Sequence, residues 1–177
     1  MNPRLRRLEN DYIEVRKRFD GDPYVQVIPI GTVPPQQYQV IYRVPSLRIN
    51  SKNDPVMVSQ TIINISLPSS YPRVKPNAIS VDPVFHPNFG NYVCIADFWS
   101  PAQSLSEIIV LMGDMLQWKK YNIRSPLNAI AAEWAVEHQG DIPIGNIELG
   151  TVDSKLEIQI FEINQTELVE QVNNDRE

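Results

Sequence analysis

The chain has 177 residues, 42% of them apolar, with a formal net charge of −5 and one cysteine. That length suits one domain with an appendage and leaves no easy room for a second catalytic domain. The acidic balance gives no broad attraction to phosphate backbones, so nucleic acid is not an expected partner, and a lone cysteine excludes an internal disulfide and a Cys-rich zinc site.

No run approaches the roughly 20 apolar residues of a membrane span, and the N-terminus is charged rather than continuously apolar, so a cytoplasmic protein without a membrane partner is expected. The chain opens with Asn2 as an N-cap and Pro3 at the first helical position, whose fixed φ suits a helix. Leu5, Leu8, Tyr12, Val15 and Phe19 recur every three or four residues, predicting an apolar stripe that packs on a sheet. Arg4, Arg6, Arg7, Glu9, Glu14 and Lys17 fall off that stripe and read as a solvated face. Gly21, Asp22 and Pro23 end the pattern.

Beyond this turn the texture becomes β-branched and aromatic. Tyr24 to Ile30, Gln37 to Val44 and Val58 to Leu67 read as three strands of a meander, with Asn77 to Val81 as a fourth. Ile63, Ile65 and Leu67 alternate with Asn64 and Ser66, so one face of that strand is covered. Leu105 to Trp118 is predicted as a second helix, capped by Ser104 with Glu107 three residues on. A third follows Ser125 and Pro126 and runs to His138, near the break at Gly140. Strands and helices in separate blocks argue for an α+β fold with an antiparallel sheet. The expected division is a domain over residues 1–140 and an acidic extension over residues 141–177, packed on the same domain. In that extension Lys155 to Ile163 alternates as one extra strand or hairpin would.

The unusual stretch is Ser80 to Pro101, which holds His86-Pro87-Asn88, Cys94 and Trp99-Ser100-Pro101 in a turn-rich span. A thiolate attacks carbonyls readily, yet a free thiol with a pKa of about 8.5 is only slightly ionised near neutrality. By residue type alone Cys94 is a buried small hydrophobe more often than a nucleophile. Its neighbours Val93 and Ile95 either anchor the backbone and leave the sulfur at a surface, or bury it; the sequence leaves both open. His86 before a proline fits a structural turn better than a general base. Asn88 fits a turn cap or an oxyanion donor, and Trp99 a hydrophobic anchor.

Taken in order, Tyr71-Pro72 with Pro76, His86-Pro87-Asn88, Cys94, Trp99-Ser100-Pro101 and Ser125-Pro126-Leu127-Asn128 resemble the signature of ubiquitin-conjugating enzymes, over roughly residues 3–138. The resemblance implies a UBC-like fold: a helix, a four-stranded antiparallel meander, an active-site loop and later helices. It implies a transferase without cofactor or metal, in which Cys94 takes a ubiquitin-like protein from an activating enzyme as a thioester and passes it to an amine acceptor. Asn88 would hold the loop and stabilise the oxyanion, and Ser125 would stand at the gate for the incoming lysine. His86, Pro87, Trp99, Tyr71 and Pro72 would be structural. Arg4, Arg6 and Arg7 would face the activating enzyme.

Ser125 stands where many members have an acidic residue, and Asp97 is a candidate substitute. The spans from Asn88 to Cys94 and from Cys94 to Trp99 are shorter than in common eukaryotic members. They resemble conjugating-enzyme-like proteins of bacterial operons, some linked with antiphage defence. The competing readings are a binding module of the same fold and, further off, a cysteine hydrolase using His86 or His138.

Overall fold

The computed structural model describes residues 2–95 and 99–151. Asp97 and the expected strand from Lys155 to Ile163 lie outside the described residues. The elements in chain order are α1 (Pro3–Phe19), β1 (Val25–Ile30), β2 (Gln37–Tyr42), β3 (Ser46–Ile49), β4 (Pro55–Val58), β5 (Thr61–Ser66), β6 (Asn77–Ser80), α2 (Leu105–Leu116) and α3 (Ala129–Glu137). The fold is α+β, with a four-stranded antiparallel sheet in the order β1-β2-β5-β6.

Helix α1 begins as its sequence predicts: the Asn2 side chain accepts from the Arg4 N–H at 2.9 Å, and Pro3 fills the position where an N–H would go unused. Its buried line differs from the predicted stripe. Leu8, Asp11, Val15 and Phe19 are buried, whereas Leu5 is 39% exposed. The helix is therefore turned so that a carboxylate, not Leu5, faces inward.

The sheet places Tyr38, Val40 and Tyr42 of β2 opposite Ile65, Ile63 and Thr61 of β5, and this face forms the main core with α1 and α2. The Tyr42 hydroxyl donates to the Ile109 carbonyl at 2.8 Å, pinning α2 to the sheet. The predicted third strand, Val58 to Leu67, is divided. Val58 ends β4, which pairs with β3 in a separate hairpin, and the sheet strand β5 starts at Thr61. The Asn50 side chain accepts from the N–H groups of Lys52 and Asp54, and Asn53 takes φ +63°, so the hairpin turn is built from asparagines.

Helix α2 has the full capping box of Ser104 and Glu107. It stops at Leu116 and does not include Trp118. The Trp118 N–H donates to Met115 and the Lys119 N–H to Asp114, with Trp118 at φ +58°, a helix ending usually made by glycine. The turned Trp118 enters a second cluster with Leu47, Phe85, Ala131 and Ala135. Helix α3 follows Ser125 and Pro126 as predicted and starts at Ala129, where the Asn128 side chain is its cap.

Residues 141–150 cross α2. The Gln117 amide accepts from the Ile147 N–H at 2.9 Å and donates to the Ile147 carbonyl at 3.0 Å, as a paired peptide would. Leu149 is 3% exposed and sits in the main core, over the α2 backbone at Gly113, where a Cβ would overlap it. The Gly150 N–H then donates to Asp22 at 2.9 Å. The packed unit thus continues past residue 140. Replacing Leu149 by alanine is expected to cost about 2–4 kcal/mol, read as a lower urea midpoint with an unchanged slope.

Candidate active site

Loop residues 84–95 are held between the two cores. Val84, Phe89, Val93 and Ile95 pack in the main core and Phe85 in the second, while the Val93 N–H donates to Ala78 at 2.8 Å on the edge strand β6. His86 is fully buried, its ring edge-on to Phe89 and Trp118 at 5.3 and 4.8 Å. Its Nδ1 accepts from the Asn88 N–H at 3.1 Å, which leaves the proton on Nε2 for donation to the Lys120 carbonyl, also at 3.1 Å. Both ring nitrogens are thereby used. Burial drives the His86 pKa down to about 3, because the imidazolium would have to be desolvated.

Asn88 is 7% exposed and connects three segments. Its Oδ1 accepts from the Asn122 N–H at 2.9 Å, which fixes the amide orientation and turns Nδ2 toward the Cys94 carbonyl at 3.4 Å. The Cys94 N–H returns a bond to the Asn88 carbonyl at 2.8 Å. Cys94 is half-buried, while Val93 and Ile95 on either side are 3% and 2% exposed. The neighbours therefore anchor the backbone, and the cysteine is not sealed inside the core.

The Pro87 carbonyl accepts from the N–H groups of Leu127 and Asn128 at 2.8 and 3.1 Å. Together with the bond from Asn122, this lays residues 122–128 beside the His-Pro-Asn segment. Ser125 is exposed in the middle of that stretch, next to exposed Arg124. Gly90 permits the close approach, since a Cβ there would lie 3.1 Å from the Leu127 Cβ.

On the other side, the Trp99 indole donates to the Pro72 carbonyl at 2.6 Å, and its ring lies 6.3 Å from that of Tyr71. Tyr71 is 1% exposed and donates to Asp11 at 2.6 Å. Pro76 and Pro87 are buried.

The three arginines in the first turns of α1, Arg4, Arg6 and Arg7, separate. Arg6 is exposed. Arg4 donates to Gln36 at 2.7 Å and to the Pro68 carbonyl at 3.1 Å. Arg7, read from sequence as part of a solvated face, turns inward to Asp11, Tyr71 and the carbonyls of Pro101 and Gln103. Asp11 and Asn122 escaped the sequence reading. Asp11 had a visible signal, a carboxylate in line with Leu8 and Val15; Asn122 acts through its backbone and had none.

Chemically, the site is a half-exposed thiol on a braced loop, with an oriented carboxamide beside it. Since folded His86 stays neutral to about pH 3 and the unfolded imidazole protonates near 6.5, the unfolded chain binds the extra proton between these values. Stability contributed by neutral His86 is therefore lost as pH falls through this window, by up to about 1.4 kcal/mol per unit. Urea unfolding at about pH 7 and about pH 5 should show the wild type losing roughly 2 kcal/mol more than His86→Gln. Parallel losses in the two proteins would contradict this assignment.

No family model matches the chain. Over 87 residues it is 33% identical to ubiquitin-conjugating enzyme E2 PEX4 of Gibberella zeae, a match covering 46% of this chain and 48% of that protein, so the matched stretch spans about half the length of the curated relative. Among solved structures, a ubiquitin-conjugating enzyme E2 domain of Toxoplasma gondii superposes with a TM-score of 0.53 at 17% identity, covering 76% of this chain and 88% of that one. Among the described residues no helix is long and apolar enough to cross a membrane, and no group of three or more His, Cys, Asp or Glu side chains could hold a metal ion. The N-terminal helix, the four-stranded antiparallel sheet and the later helices, in the order that superposes on the E2 domain, give this chain the UBC fold of ubiquitin-conjugating enzymes.

Proposed function

We propose that the chain is a carrier of a ubiquitin-like protein, accepted from an activating enzyme as a thioester on Cys94 and transferred to an amine. The observation that carries this reading is the pairing of half-exposed Cys94 with the Asn88 carboxamide across a loop fixed on both sides. In the first step the Cys94 thiolate attacks the carbonyl carbon of the activating enzyme's thioester, and that enzyme's thiol leaves. In the second, an amine attacks the Cys94 thioester, a new amide bond forms, and the C–S bond breaks to return the thiol. Each step passes through a tetrahedral oxyanion. The Asn88 Nδ2 has two protons, one directed at the Cys94 carbonyl, and the other is the donor assigned to that oxyanion.

In this reading Ser125 lines the approach of the amine, and its effect is smaller because a hydroxyl does not supply a carboxylate's charge. His86, Pro87, Trp99, Tyr71 and Pro72 hold the loop in shape. Arg6, the exposed member of Arg4, Arg6 and Arg7, meets the activating enzyme, with Arg4 contributing at the rim. A cytoplasmic setting goes with this chemistry. The bacterial-operon and antiphage setting rests on the sequence resemblance alone and forms no part of the mechanism. Among the described residues the two histidines do not favour the hydrolase reading: both His86 nitrogens are occupied, and His138 is stacked on Trp134 with its Nδ1 2.9 Å from the Trp134 carbonyl.

Incubation with ATP, an activating enzyme and its ubiquitin-like protein should yield an adduct that thiols cleave and that Cys94→Ala lacks, seen by non-reducing electrophoresis. No adduct with a demonstrably active activating enzyme would favour the binding module. In the same assay Asn88→Ala should still load but lose about a hundredfold in discharge to lysine, as expected for removal of an oxyanion donor.

A further inference from the structure

The two stretches that form the site, residues 84–95 and 121–128, contain one charged side chain, Arg124, since buried His86 stays neutral. Its place is set by a series of hydrogen bonds. The Asn88 Nδ2 donates to the Cys94 carbonyl at 3.4 Å, the Asn88 Oδ1 accepts from the Asn122 N–H at 2.9 Å, and the Asn122 Oδ1 accepts from the Arg124 N–H at 2.9 Å. Arg124 is thus two residues past the amide that Asn88 holds, with its Cα within about 7 Å of the Asn122 Cα. The Pro87 carbonyl fixes the far end of the same stretch at Leu127 and Asn128. Arg124 is exposed and has no carboxylate partner among the described residues. Lys119 and Lys120, just upstream, differ: both face Asp114, at 3.6 and 3.5 Å.

An unpaired cation beside the thiol bears on which amines reach it. A lysine in solution is an ammonium, with a pKa of about 10.4. Arg124 repels such an acceptor unless a neighbouring carboxylate compensates, and that carboxylate can pair with the exposed guanidinium. We propose that Arg124 is a specificity-determining residue of the Cys94 site, selecting acceptor amines carried beside a carboxylate, as in a peptide with lysine next to glutamate, over amines that are only cationic. The transfer itself is unchanged: the ammonium gives its proton to solvent, the nitrogen bonds the thioester carbon, and the Cys94 C–S bond breaks. The choice of acceptor rests on the carrier reading above; the field at the thiol does not.

Because Cys94 is the sole cysteine, alkylation reports this thiol alone. Iodoacetate is anionic and iodoacetamide neutral, and both place the same carbon on sulfur and release iodide, so the ratio of their rate constants reads the potential at the thiol. For charges about 10 Å apart in water at about 10 mM ionic strength, Arg124→Gln should lower that ratio about twofold and Arg124→Glu about fourfold, with both differences lost near about 0.5 M salt. Arg124→Lys should keep the wild-type ratio. Asp97, outside the described residues, is common to all the variants, so the comparison isolates Arg124. With the thioester formed, discharge to dilute acetyl-Lys-Glu amide should be about threefold faster than to acetyl-Lys-Gln amide. Arg124→Gln should remove that preference and Arg124→Glu reverse it. An alkylation ratio unchanged in both variants at low salt, or equal discharge of the wild type to the two peptides, overturns the assignment. A wild type that never loads refutes the carrier reading and the acceptor preference with it, and the alkylation ratio then still decides whether Arg124 sets the field at the thiol.

Discussion

Asp11 is the carboxylate on which the arrangement around the site depends. It lies on the inward face of α1 with its side chain 2% exposed, where an ionised group must be compensated or neutralised. Compensation comes from three directions: Arg7 on the same helix, the Tyr71 hydroxyl on the segment before β6, and the Leu105 N–H at the start of α2. Removing one member of such a buried pair typically costs about 3–5 kcal/mol, because the surviving charge is stranded. An apolar residue at position 11 could bury as well, but it would not specify which turn of α2 or which tyrosine lies opposite. The carboxylate turns a slippery contact into a defined one, and the loop that bears the cysteine is strung between the elements it defines.

The second constraint is the loop's position between two apolar clusters. Phe85 faces one core and Phe89 the other, so His86 between them has no route to solvent. A histidine there survives because each ring nitrogen has a backbone partner. The outcome is a neutral, immobile ring that orients Asn88 by its backbone, while Asn122 orients the same residue by its side chain. An oxyanion donor is effective when it needs no reorganisation as charge develops. In the proposed reaction that donor is Asn88, whose carboxamide is held by bonds to Asn122 and the Cys94 carbonyl that need no substrate.

Much of this was legible in the sequence, for identifiable reasons. The Asn2 cap, the capping box of Ser104 and Glu107 and the alternation in β5 are local signals, and the structure shows all three. The order of the His-Pro-Asn, Cys and Trp-Ser-Pro segments led to the UBC fold by resemblance, and the structure sets Pro87 and Asn88 in a turn. What failed was non-local. The hairpin of β3 and β4 has strands of four residues each, too short to show a period. Trp118 takes a left-handed conformation normally left to glycine, and only its burial against Phe85, Trp134 and His86 makes that worthwhile. Arg7 read as a surface charge because helical periodicity assigns a face but not the reach of a long side chain.

The stretch after α3 shows the same limit from the other side. The composition change after Gly140 led to the expectation of an extension packed on the same domain, but composition reports solvation of side chains and not the contacts, which here include backbone bonds. Gln117 presents a carboxamide, chemically a peptide group, to the N–H and carbonyl of Ile147, and thereby adds one peptide pair at the end of a helix. Gly113 provides the space for Leu149, and Asp22 receives the Gly150 N–H beside β1. Helix α2 is thus tied at its start to Asp11 and at its end to this crossing segment. The acidic stretch that looks appended is, up to Gly150, packed on α2 and the main core.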